Sequence, residues 1–94
     1  MDSHSPPSLF VNEEESRTRP WEAARRRVLL AAAVEANGIP GAYVTQEGVM
    51  QRASMVDAEH FRTIARYLQE QGWIADAEYG VFAVTASGIV EAIW

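Results

Sequence analysis

The sequence predicts a small domain that is mostly α, with a small β-hairpin near its C-terminal end. Three observations carry this reading. Apolar residues recur at helical spacing from Pro20 onward, and again after Asp57. Two short apolar runs, 73–75 and 81–84, flank a five-residue connection, Asp76 to Gly80. With 94 residues the chain holds one domain, and its division is a tail over 1–18 and a folded unit over 19–94.

The tail reading rests on composition. "MDSHSPPS" is small, polar and proline-bearing, and Glu13-Glu14-Glu15 adds consecutive like charges, which suits a mobile, acidic segment. Leu9-Phe10-Val11 is its one apolar run. The first helix is placed over Pro20–Ala36, because proline fits the first turn, where its missing N–H is not needed. Trp21, Ala24, Val28, Ala31 and Ala32 form its stripe, widened by Leu29, Leu30 and Val34, and Asn37-Gly38 with Pro40 supply the stop. A short strand fits Ala42–Val44. Thr45 then caps a short helix from Gln46 to about Arg52, which Gly48 weakens by roughly 1 kcal/mol relative to alanine.

After a tight connection, Asp57 caps a longer helix that ends near Gln71, with Gly72 as terminator. Phe61, Ile64, Ala65 and Leu68 form its buried stripe, leaving Glu59, Arg62, Thr63, Arg66 and Glu70 on the other side. The hairpin follows, and Thr85 caps a last helix, Ala86–Ile93.

Composition excludes several functions. There is no cysteine, so disulfides, thiol catalysis and cysteine-ligated zinc are ruled out, and two histidines make no dedicated metal site. No apolar stretch reaches the roughly 20 residues that span a bilayer, and the first residues lack the pattern of a signal peptide. A cytoplasmic protein without a membrane partner is expected. Ser54, Asp57 and His60 resemble a nucleophile set by residue type alone, but Asp57 is explained as a helix cap and no nucleophile elbow occurs. "NGIPG" lacks the spacing and lysine of a phosphate loop. No enzyme and no cofactor are expected.

Charge is informative in its placement. The net is −5, and residues 45–94 carry Arg52, Arg62 and Arg66 against seven acids, a net of −4. Affinity for nucleic acid depends on neutralised phosphates, so this balance opposes it. Arg25-Arg26-Arg27 is the one concentrated positive run, but on a helix successive residues point about 100° apart, so it makes no flat patch. Pairing with Glu22 or the tail's glutamates is the simpler expectation.

Helix, short strand, short helix, turn, longer helix, hairpin and helix is an order that resembles the winged helix-turn-helix family of small bacterial transcriptional regulators, such as MarR-like and PadR-like proteins. The likeness is carried by "VTQEGVMQRASMVDAEHFRTIARYLQEQGWI" over 44–74 and "FAVTASGIVEAI" over 82–93. Within these, Leu68 leads through polar residues to Gly72-Trp73-Ile74, and Val84-Thr85 is followed by Gly88. The resemblance implies that the 57–71 helix enters the major groove of double-stranded DNA, with Arg62, Thr63 and Arg66 on its outer face, Ser54 at the preceding turn and Tyr79 as the reach of the wing. It also implies a homodimer built on the first and last helices, with Trp21, Val28, Ile93 and Trp94 as its contacts. Asp76 and Glu78 make phosphate contact at the wing tip unfavourable, so the helix would carry the binding. The alternative is an interaction or dimerisation module of the same shape that binds a protein partner and no DNA.

Overall fold

In a computed structural model of the chain the described residues are 21–93. The expected tail, His4, the predicted helix start at Pro20 and Trp94 lie outside them. Helix α1 occupies 21–35 of the described residues. It buries Ala24, Val28, Leu29, Ala31, Ala32 and Ala33, and Ala36 is buried just past its end. Leu30 and Val34, expected to widen that stripe, instead stay 49% and 45% exposed, so the buried face is narrower than the sequence suggested. Val28 corrects another expectation. It is 0% exposed and belongs to the core of the single chain with Ile64 and Leu68, which leaves it no surface for contact with a second copy.

Strand β1 (Tyr43–Thr45) begins one residue later than the spacing indicated, and α2 (Gln46–Arg52) follows directly. Thr45 serves both elements: its backbone is extended, and its Oγ1 accepts the Gly48 N–H at 3.0 Å. Helix α3 runs from Ala58 to Glu70, capped by Asp57, whose Oδ1 accepts the N–H groups of Glu59 (3.0 Å) and His60 (3.2 Å). Phe61, Ile64 and Leu68 are buried as the periodicity required, while Ala65 is half-buried.

Helices α1, α2 and α3 end in the same hydrogen-bond pattern. Gly38 N–H donates to Ala33 O at 2.9 Å, Met55 to Met50 at 2.8 Å and Trp73 to Leu68 at 3.0 Å. In each case the preceding residue has left-handed backbone: Asn37 (φ 55°), Ser54 (φ 57°) and Gly72 (φ 79°).

Strands β2 (Ile74–Glu78) and β3 (Val81–Val84) form the hairpin, but the connection differs from the five residues expected. Pairing continues to Glu78 opposite Val81, so only Tyr79 and Gly80 make the turn, both with positive φ (54° and 77°) as a type I′ turn requires. The register shifts between Ala75 and Glu78, where Asp76, at φ 55°, is accommodated in a bulge. An acidic residue in the middle of a run read as loop in the sequence because the bulge hides its pairing.

The sheet has three strands, ordered β1-β3-β2 and antiparallel throughout. Tyr43 pairs with Ala83 and Thr45 with Val81, so the short strand before α2 completes the hairpin's inner side. Gln46 N–H donates to Gly80 O at 2.7 Å and Gly41 N–H to Val84 O at 2.8 Å, tying both ends of that pairing. Helix α4 (Ala86–Ile93) closes the order. Thr85 Oγ1 accepts the Gly88 N–H at 3.0 Å and donates to Gly72 O at 2.6 Å, joining the start of α4 to the end of α3.

The architecture is therefore mostly helical with a small antiparallel sheet. Its core unites α1, α2, α3 and the sheet through Val28, Val49, Phe61, Ile64, Leu68, Ile74, Phe82 and Val84, and no polar or charged side chain among the described residues is buried. Phe61 and Phe82 meet with ring centroids 6.1 Å apart. No helix among the described residues is long and apolar enough to cross a membrane.

Candidate nucleic-acid interface

The buried stripe of α3 turns the rest of its circumference outward, and that surface divides in two. On one side His60 and Tyr67 lie against the start of α1. Trp21 stands edge-on to Tyr67 at 6.0 Å between centroids, and its ring is 6.4 Å from that of His60. Tyr67 is in turn edge-on to Trp73 at 6.2 Å. Trp21, predicted at a dimer contact, is half-buried and packed against the core from this position. On the other side Arg62 and Arg66 are exposed and share a groove with the hairpin. The groove measures about 310 Å³ and is closed by Glu78, Tyr79 and Gly80.

The predicted contact residues are thus partly brought together. Arg62, Arg66 and Tyr79 line this one groove, with Tyr79 95% exposed. Thr63 is exposed but outside the groove's lining, and its hydroxyl donates to Glu59 O at 3.1 Å, one turn back on its own helix. Ser54 sits at the α2–α3 turn and is also exposed, away from the groove. Gln69 and Gln46 line the groove although the sequence reading did not name them. Gln69 could have been found, since it follows Arg66 by three positions and Arg62 by seven, on the same side of the helix. Gln46 could not, because it reaches the groove through the pairing of β1 with β3.

Ion pairing redistributes the positive charge. Among the described residues the one ion pair is Arg52 Nε with Glu35 Oε2 at 2.8 Å, which draws Arg52 to the end of α1. Glu59 with Arg62 and Arg66 with Glu70, spaced three and four residues apart on α3, form no ion pair among the described residues. The arginine run on α1 is used structurally. Arg25 lies 4.9 Å over the Tyr67 ring centroid, and its Nη1 donates to the Tyr67 hydroxyl at 3.0 Å. Arg27 Nε donates to Ala53 O at 3.3 Å, an orphan carbonyl at the end of α2. Neither contact was visible in the sequence, where these arginines were matched to glutamates.

Two further features bear on chemistry. An open groove of about 710 Å³ lies between α2 and the hairpin tip, lined by Met50, Met55, Val56 and Tyr79 among others, and Val56 is 96% exposed. No group of three His, Asp or Glu side chains among the described residues is arranged to hold a metal ion. On α4, Ile93 is 64% exposed and Val90, one turn before it, is 55% exposed. No family model matches this chain, and neither the curated proteins nor the solved structures include a match to it.

Proposed function

We propose that this chain is a DNA-binding transcriptional regulator of winged helix-turn-helix type. In this reading α2 and α3 are the two helices of the motif, α3 enters the major groove and the β2–β3 hairpin is the wing. One observation carries the reading: Arg62 and Arg66 stand exposed, one turn apart, on the side of α3 that faces away from its core stripe. Arginine presents the paired donors that match guanine O6 and N7, and an exposed helix face is the element that fits the major groove. The hairpin carries Glu78 into the same groove, so its tip stays clear of phosphate except through Tyr79. Dimerisation through Val90 and Ile93 on α4 would double the arginines offered to a duplex.

The reading is tested with labelled duplex DNA, first as a random pool and then as genomic fragments, at low and rising salt. Binding at low salt that weakens steeply as salt rises is expected, with Arg62→Ala and Arg66→Ala each reducing specific affinity about tenfold or more. No binding to any duplex at low salt would sink the proposal.

A second reading rests on the groove between α2 and the hairpin tip. Val56 and Tyr79 are almost wholly exposed beside Met50 and Met55, a composition suited to an apolar segment of a protein partner. If DNA is not bound, this surface makes the domain an interaction module.

A further inference from the structure

A cleft on the outer side of α1 has a chemical counterpart elsewhere in the chain. It encloses about 220 Å³ and is lined by Leu30, Ala31, Val34 and Ala53, with Arg27 and Arg52 at its margins. Leu30 and Val34 are one turn apart and half exposed, which gives an apolar floor between two cations. Among the described residues each guanidinium has one donor engaged, Arg27 Nε on Ala53 O and Arg52 Nε on Glu35. A guanidinium carries five N–H donors, so both retain the capacity to bind carboxylates. The cleft therefore selects a segment in which a few apolar residues lie beside several acids.

The chain contains that segment once, as Leu9-Phe10-Val11-Asn12-Glu13-Glu14-Glu15. We infer that residues 9–15 dock on this face of α1, with the apolar triplet on Leu30 and Val34 and the glutamates against Arg27 and Arg52. Length permits it. Trp21 to Val34 is about 20 Å along a helix axis, whereas the eleven residues from Phe10 to Trp21 reach about 36 Å when extended. A cavity of about 150 Å³ accepts a benzene ring, so this cleft admits the ring of Phe10. Tethering holds the segment at millimolar effective concentration, so a contact too weak to persist between separate molecules suffices. A second copy is a poorer occupant, because a twofold pairing of this face sets the same arginines of both copies against each other.

The absence of native cysteine allows a direct test on the full chain. A nitroxide is attached through Ser8→Cys, and the methyl resonances of Leu30, Ala31 and Val34 are compared with the signals of Tyr79 and Gly80. The expected result is that the α1 methyls lose most of their intensity while the hairpin tip does not. Intensity should return when Glu13→Gln, Glu14→Gln and Glu15→Gln are combined. Equal, slight loss at all these positions would overturn the inference. So would loss that appears between labelled and unlabelled molecules in a mixed sample, since that places a second copy on the face.

Discussion

Gly88 and Gly48 are both helical glycines, and the space around them separates their roles. A Cβ on Gly88 would stand 2.1 Å from the Trp73 carbonyl oxygen and 3.0 Å from a Val84 methyl. The obstacle is backbone, so α4 would have to move off the sheet. Gly88→Ala is expected to lower stability by about 1–3 kcal/mol, read as a fall in the urea midpoint without change of slope. A Cβ on Gly48 would meet only the Thr45 hydroxyl at 3.0 Å and the Glu35 carboxylate at 3.3 Å, both side-chain atoms able to give. There alanine also gains about 1 kcal/mol of helix propensity, so Gly48→Ala should be close to neutral in the same titration. Thr85 adds a third case, because its hydroxyl both caps α4 and bonds Gly72 O. Thr85→Ala should remove about 1–2 kcal/mol and Thr85→Ser much less. The caps Thr45, Asp57 and Thr85 were legible in the sequence because capping depends on residue type and local spacing. Arg25 and Arg27 were not, because their partners, Tyr67 and Ala53, are distant in sequence.

At the scale of elements, the two ends of the hairpin show what the sequence can and cannot disclose. Its strands were legible from Ile74-Ala75 and Val81–Val84, but the bulge at Asp76 disguised the strand as loop. The third strand is the same kind of omission: β1 was read as a strand, yet its pairing with β3 spans some forty residues that no local pattern links. The Tyr79-Gly80 turn gives a test that separates fold from binding. Asparagine tolerates positive φ better than tyrosine, and Asn-Gly is the favoured type I′ pair. Tyr79→Asn should therefore raise stability by a few tenths to about 1 kcal/mol in thermal unfolding. If Tyr79 touches DNA, the same variant should bind less tightly, so stability and affinity would move in opposite directions. Ser54 at φ 57° responds to the same physics, and Ser54→Val should destabilise by about 1–2 kcal/mol, since a β-branched residue resists left-handed backbone.

For the whole molecule the decisive quantity is charge. With Arg52 held by Glu35, the α3 face presents two arginines per chain, so a dimer of the proposed kind would release counterions from about four phosphates at most, even with those arginines seated on base edges. The expected dependence of log affinity on log salt is then a slope of about −3 to −4, measurable by fluorescence anisotropy. A much steeper slope would mean that basic residues outside α3 join the contact. If the proposed dimer forms through α4, Ile93→Asp should shift it toward monomer in sedimentation and weaken DNA binding with it, because paired half-sites need both copies. The candidate interface was legible in the sequence as far as Arg62, Arg66 and Tyr79, which a helix period and a turn expose. The groove that unites them was not, since it depends on how the hairpin leans against α3.

The order β1-β3-β2 leaves β2 at a rim of the sheet, where no strand among the described residues pairs with its outer row of backbone groups. Such a rim is a template on which another extended chain can grow, and sheets are protected there by charge and by irregular backbone. Strand β2 has both, in Asp76, Glu78 and the register shift between Ala75 and Glu78. The acidity of the hairpin is then a barrier to misassembly. Asp76→Asn combined with Glu78→Gln, which removes both charges and keeps a residue tolerant of positive φ at 76, should leave the fold intact yet hasten aggregation on warming, seen as earlier light scattering at equal concentration.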